Sequence, residues 1–157
     1  MLEESKPTDD LAILLDRIIQ VVESTMDGTS GALYAIFLNA LVHAIREQST
    51  AEQQNVHAGI WAKALEKSLN ALSKYTPAQP GDRTLIDSLY PFVGTLSRTG
   101  NPKKAAAAAE EGAQKTQAMK ASLGRSVYIG GQNWQDVPDP GAYGLSEFLT
   151  GLVEGLG

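Results

Sequence analysis

The sequence predicts an all-α protein, an antiparallel helical bundle or barrel of about six helices. Three observations carry that expectation. Apolar residues recur at helical spacing in six separate stretches. Glycine- and proline-containing breaks separate those stretches. No stretch shows the strict alternation of a half-buried strand. The 157 residues suit one domain spanning 1–157, and 43% hydrophobic with 20% charged residues is the composition of an ordinary globular protein.

The first helix is expected to follow Thr8-Asp9-Asp10, which can cap it and place two carboxylates at its positive end. Its stripe is Leu11, Leu14, Leu15, Ile18, Val21 and Val22, and it should end near Thr25. Met26-Asp27-Gly28-Thr29-Ser30-Gly31 reads as a glycine-rich turn. The second helix carries Leu33, Ile36, Phe37, Ala40, Leu41 and Ile45, and is apolar over so much of its surface that it should be central. Thr50-Ala51-Glu52-Gln53 reads as a capping box for a third helix with the stripe Ile60, Trp61, Ala64, Leu65, Leu69 and Leu72.

Thr76 to Gly81 holds two prolines and a glycine and is a loop. A fourth helix is expected from about Asp82, as its cap, to Leu96, kinked or split by Pro91. Arg83 should pair with a carboxylate. Asn101-Pro102 supplies a cap and a first-turn proline for a fifth helix, over about Lys103 to Ser122, whose Ala105–Ala109 run allows close packing. Leu123 to Pro138 is the longest irregular stretch and contains Tyr128 and Trp134, which would either cover an apolar ligand or anchor the loop. Asp139-Pro140 repeats the cap-plus-proline signature for a sixth helix bearing Leu145, Phe148, Leu149, Leu152 and Leu156.

A net charge of −5 and a pI of about 5.0 argue against a nucleic-acid binder. With no cysteine, a disulfide framework and a thiolate zinc site are both ruled out. The polar, acidic N-terminus is wrong for a secretory signal, and no apolar run is expected to span a membrane, so a cytoplasmic protein without membrane contact is the expectation. His43 and His57 lie within helices and read as packing or surface residues rather than acid–base catalysts.

Four segments together resemble the C-terminal nucleotide-binding domain of single-chain dihydroxyacetone kinases, the fungal members most of all. They are Ser24-Thr25-Met26-Asp27-Gly28-Thr29-Ser30-Gly31-Ala32-Leu33-Tyr34, Gly81-Asp82-Arg83-Thr84, Leu123-Gly124-Arg125-Ser126-Val127-Tyr128 and Asp139-Pro140-Gly141-Ala142. The resemblance implies a closed barrel of eight amphipathic helices, here lacking its first two, with ATP held in loops at one end. Carried over position by position, Thr29, Ser30, Gly81, Arg125, Asp139 and Gly141 would line that pocket. Elementary chemistry agrees in part. Gly28 and Gly31 allow close backbone approach, Thr29 and Ser30 begin a helix whose free N–H groups attract anions, and Arg125 can grip a phosphate with two parallel bonds.

Two departures from the family pattern shape the functional expectation. The family's aspartates that hold two magnesium ions precede the Gly-Thr-Ser-Gly turn by two helices, and Met1 stands too close to that turn for them to be present; Asp9-Asp10 is in the wrong place to replace them. Phosphoryl transfer depends on such metals. Asp27 also stands where the family usually has glycine. A carboxylate about 4 Å from a phosphate oxygen would cost roughly 4 kcal/mol at an effective dielectric near 20, unless Asp27 points outward or itself becomes a metal ligand.

The leading expectation is therefore a repurposed, pseudokinase-like domain that binds a small organic molecule without a cofactor. It would support a non-phosphoryl reaction such as a cyclisation or isomerisation, where enforced proximity supplies much of the barrier reduction. Asp27, Arg125 and Tyr34 are the catalytic candidates, and Gly28, Thr29, Ser30, Gly81, Tyr128, Trp134, Asp139 and Gly141 the binding candidates. Two alternatives stand beside it: an ATP- and magnesium-dependent part of a dihydroxyacetone (glycerone) kinase completed by another chain, and a non-catalytic interaction module. An uncovered barrel face would let the chain form a homodimer.

Overall fold

The computed structural model describes residues 7–48, 58–123 and 136–156, with the backbone alone for residues 7–10. Every regular element among them is helical: α1 (Pro7–Thr25), α2 (Gly28–Gln48), α3 (Ala58–Leu72), α4 (Ile86–Thr99), α5 (Pro102–Lys115), a 3₁₀ turn (Thr116–Ala118) and α6 (Pro140–Glu154). The chain packs as two compact units, residues 1–76 with α1 to α3 and residues 77–157 with α4 to α6.

In the first unit α2 lies against both α1 and α3. Leu41, Ala44 and Ile45 of α2 form a buried cluster with Ala64 of α3, and Leu11, Leu15, Leu38, Trp61 and Leu65 pack around it. A second cluster joins Ala12 and Ile19 of α1 to Val42. Complete burial of one aliphatic side chain such as Ile45 contributes about 1.5–3 kcal/mol. Polar bonds then fix the register: Arg46 Nη2 with Asp16 Oδ2 at 2.5 Å, Asn39 Nδ2 to Glu23 Oε1 at 3.0 Å, and Lys67 with Glu47 at 2.8 Å. α2 is the central helix of its unit, and with 21 residues and a mean hydropathy of 1.4 it is long and apolar enough to cross a membrane by length and composition. That corrects the expectation that no segment reaches this length. Its buried residues, Phe37, Leu41, Val42, Ala44 and Ile45 among them, belong to the helical packing just described.

In the second unit α4, α5 and α6 pack pairwise. Pro91 sits inside α4. It has no N–H to offer the Asp87 carbonyl one turn earlier, and that carbonyl faces α5 at Gly112, where an added Cβ would lie 2.1 Å from the oxygen. The proline thus coincides with a close backbone approach between two helices, at which α5 can present only a glycine. The buried Ala105, Ala106, Ala109 and Ala113 continue that small-residue face.

Several boundaries differ from the sequence reading. α1 starts at Pro7, so Thr8, Asp9 and Asp10 belong to its first turn instead of preceding it. α4 starts at Ile86, not near Asp82. α5 ends at Lys115, not at Ser122, because Thr116 turns its hydroxyl onto the Ala113 carbonyl at 2.5 Å and Met119 is extended, at φ −90 and ψ 142. Two of the expected caps form as read: Asn101 accepts from Lys104 N–H at 3.1 Å, and Asp139 from Ala142 N–H at 2.9 Å. The capping box Thr50–Gln53 and His57 lie outside the described residues. His43 is an exposed partner of Glu47 at 3.1 Å.

Candidate functional site

The candidate residues fall into two groups, one in each unit. In the first unit, Met26 N–H closes α1 onto the Val22 carbonyl at 2.9 Å, and the chain then reverses through Asp27 into α2. Gly28 has φ 77, a left-handed value that disfavours any side chain. Gly31 is required for a different reason, since a Cβ there would lie 2.0 Å from the Met26 carbonyl oxygen. The two glycines fold the turn tightly enough to leave Asp27, Gly28, Thr29 and Ser30 all exposed at the start of α2. No acidic residue follows in the first turn of that helix, so its unpaired N–H groups and dipole favour a negative ligand. Among the described residues the Asp27 carboxylate has no hydrogen-bond partner. Tyr34 is half-buried one turn beyond Ser30, on the same side of the helix.

The second group is organised by residues the sequence reading did not select. Asp87, buried in the first turn of α4, accepts from Gly81 N–H at 2.5 Å and from Thr84 N–H at 2.8 Å. Thr84 Oγ1 in turn accepts from Ile86 N–H at 3.2 Å. This is a variant capping box, and the signal for it stood in the sequence as Thr84-Leu85-Ile86-Asp87. Asp82, expected to cap α4, instead accepts from Gln79 N–H at 2.8 Å and from Ser122 Oγ at 2.7 Å. Those bonds, the one to the Gln79 backbone foremost, hold its carboxyl below the usual carboxylate range.

Arg83 was expected to pair with a carboxylate, and its charge does reach Asp139. Three of its hydrogen bonds run to main-chain carbonyls: Nη1 donates to Thr116 O at 3.3 Å and Met119 O at 3.0 Å, and Nη2 to Val137 O at 2.9 Å. Arg83 is buried and has φ 58, the one left-handed non-glycine residue among those described.

Asp139 is buried at the start of α6, where its Oδ2 caps Ala142 N–H and its own N–H donates to Thr116 Oγ1 at 2.7 Å. Burial pushes its carboxyl above the ordinary value, against the pull of the Ala142 and Gly141 N–H groups and of Arg83, and Asp87 adds to the rise. Gly141 lies under this carboxylate, where a Cβ would come within 3.0 Å of Asp139 Oδ2. Gly81, Asp139 and Gly141 therefore belong to one frame. The Gly81 N–H and the Asp139 Oδ2 are engaged within it, and Gly81 contributes a φ of 102 that a side chain rarely adopts. Arg125, Tyr128 and Trp134 lie outside the described residues.

Magnesium, which the resemblance implies, takes six oxygen ligands and is usually held by one or two carboxylates together with substrate phosphates. Among the described residues no three acidic or histidine side chains come together to hold a metal, and Asp27 stands alone at its turn.

Comparison with known proteins bears on the whole chain. The chain is 42% identical over 155 residues to dihydroxyacetone kinase 2 of Saccharomyces cerevisiae, covering 95% of this chain and 26% of that protein. It is 32% identical over 163 residues to the triokinase/FMN cyclase of Homo sapiens, covering 99% of this chain and 27% of that one. The crystal structure of the native dihydroxyacetone kinase of C. freundii superposes with a TM-score of 0.68 at 28% identity, over 94% of this chain and 24% of that chain. The same kinase in complex with AMP-PNP and magnesium gives a TM-score of 0.64. The chain spans about a quarter of the length of these relatives. The model of the DAK2 domain matches residues 1–154, and the chain belongs to that family.

Proposed function

We propose that this DAK2 domain binds a small organic molecule at the α1–α2 turn and supports a non-phosphoryl reaction, of which cyclisation is the leading candidate. The observation that carries the reading is Asp27. It is an exposed carboxylate without a hydrogen-bond partner among the described residues, at the start of a helix otherwise suited to an anion. A bare polyphosphate is repelled there, whereas a ligand with a hydroxyl or ring N–H to donate finds an acceptor beside free helix N–H groups. Asp27 would take a proton from such a group, and Tyr34 would orient the ligand. Gly28, Thr29 and Ser30 would hold one end of the molecule, and Gly81, Asp139 and Gly141 are binding candidates within the second unit. The human relative is a triokinase/FMN cyclase, which supports the cyclase reading.

The test is calorimetry and product analysis on the intact chain, with FMN and magnesium-ATP as probes. FMN is expected to bind, and magnesium-ATP to give no heat at millimolar concentration. Asp27→Gly is expected to restore nucleotide binding. Heat from magnesium-ATP with the unaltered chain would overturn the reading and favour a second one.

That second reading is the ATP-binding part of a dihydroxyacetone kinase, completed by another polypeptide. It is supported by the 42% identity to the yeast enzyme and by the likeness to the AMP-PNP complex. An apolar stripe of α1, Leu14, Ile18 and Val21, is 54%, 42% and 60% exposed. It is the face through which a homodimer would form, and sedimentation of Ile18→Glu against the unaltered chain would reveal one.

A further inference from the structure

We infer that Arg83 is a positioning residue for the ligand-facing end of the second unit, holding the Asp139–Gly141 start of α6 in place relative to the Gly81 loop without itself touching the ligand. The inference rests on the proposed reading only in taking those two segments to face a ligand. The mechanical part stands on the structure.

The loop from Gly81 to Thr84 is held from two sides by opposite charges. From one side Asp87 takes the N–H groups of Gly81 and Thr84. From the other, Arg83 leaves the loop inward and bonds carbonyls of three positions distant in sequence: Thr116 in the 3₁₀ turn, Met119 beyond it, and Val137 two residues before Asp139. A left-handed φ of 58 at a non-glycine residue persists only where the surroundings over-determine it. A buried guanidinium likewise persists only where its donors are met. Both unfavourable features occur at one residue, whose guanidinium bonds these three carbonyls.

Those bonds need the planar fork of arginine, because an ammonium on a flexible stem cannot reach diverging acceptors in fixed directions. The clamp reaches Asp139 from both sides of the chain. Thr116, whose carbonyl Arg83 holds, offers its hydroxyl to Asp139 N–H, and Val137 leads directly into the cap. Asp139 then fixes Ala142 and sits over Gly141.

The experiment uses the full chain with Arg83→Lys, Arg83→Gln and Asp87→Asn. It reads the titration of the Asp139 carboxyl by carbon NMR, amide exchange at Gly141 and Ala142, and FMN affinity by calorimetry. Arg83→Gln is expected to raise the Asp139 midpoint, because an attracting charge is lost. Arg83→Lys should return that midpoint most of the way while leaving exchange at Gly141 and Ala142 at least ten-fold faster, since it restores charge but not the fork. Asp87→Asn should move the midpoint the opposite way, and it remains informative if the Arg83 variants do not fold.

A general loss of stability would move none of these in opposite directions. Unchanged exchange in Arg83→Lys, or an unmoved Asp139 midpoint in both Arg83→Gln and Asp87→Asn, would overturn the inference. FMN that fails to bind the unaltered chain sinks the proposed function, and the NMR readings still decide the clamp. FMN that binds Arg83→Lys as tightly as the unaltered chain would show that the clamp does not serve the ligand.

Discussion

Replacing Gly112 with alanine tests the contact between α4 and α5, which also carries Asp87. Two effects oppose each other. Alanine is favoured over glycine inside a helix by about 1 kcal/mol. Against this, the new Cβ would lie 2.1 Å from the Asp87 carbonyl oxygen and 2.9 Å from Pro91 Cγ. Neither neighbour can step aside, since one is backbone and the other a ring fixed to it. The helices must separate, and overpacking of this kind costs about 1–3 kcal/mol or more. Because the obstacle is backbone, the upper end applies, and the net loss should be about 2 kcal/mol. In a chain of this size that lowers the melting temperature by roughly 4–8 °C.

Gly94 and Gly144 provide the control. Both lie within helices, and a Cβ at either meets nothing within 4 Å. Alanine at each should stabilise by about 0.5–1 kcal/mol. The assay is thermal unfolding by circular dichroism, with the three variants run side by side. If Gly112→Ala melts at or above the unaltered chain, together with the two controls, the close approach at Asp87 is not there. The Gly81 loop, which hangs from the Asp87 side chain, would then lose its supposed anchor as well.

Gly31→Ala should cost about 2 kcal/mol by the same backbone clash, here with the Met26 carbonyl at 2.0 Å. It should also abolish any FMN heat, whereas Gly28→Ala, strained by φ 77, should lose about 1 kcal/mol. Asp139 gives a pH signature. Its folded carboxyl titrates above the ordinary value because of burial, so the folded state holds its proton to higher pH than the unfolded chain. Stability from this group is full below the unfolded value, falls as pH rises through the window up to the raised folded value, and is level above it. Asp139→Asn should flatten that part of the stability–pH curve while keeping the cap, and Asp139→Ala should lower stability at neutral pH by about 1 kcal/mol; urea titrations across the acid range would check both.

The number of helices and their apolar faces were legible because periodicity is a local record of burial. Leu41, Ile45, Ala64 and Leu72 declare their face by spacing alone, and all four are buried. Caps were legible where one residue does the work, as at Asn101 and Asp139. What escaped was any feature that depends on residues distant in sequence. The sequence pattern extends helix five to Ser122 because nothing local announces that Arg83 takes the carbonyls of Thr116 and Met119, 33 and 36 residues away. Asp82 reads as a helix cap because a carboxylate before an apolar run usually is one. The local competitor, Thr84 with Asp87, has the stronger claim, because Thr84-Leu85-Ile86-Asp87 carries the capping-box spacing.

The two groups of candidate residues therefore differ in chemical availability, and this bears on which group would act on a ligand. In the second unit the hydrogen-bonding groups of the motif positions are already engaged: Gly81 N–H by Asp87, Asp139 Oδ2 by Ala142, Arg83 by three carbonyls. Such a frame can give shape, through the missing side chains of Gly81 and Gly141, but exchanging its bonds for those of a ligand would leave buried groups unsatisfied at a cost of about 1–3 kcal/mol each. In the first unit the corresponding groups are exposed, and Asp27 has no competing partner among the described residues. Chemistry should accordingly respond to substitutions at Asp27 and Ser30 more than to those at Gly81 and Gly141. Ser30→Ala and Gly141→Ala assayed together would separate the two. A large rate effect from Gly141→Ala with none from Ser30→Ala would place the chemistry in the second unit and reverse this assignment.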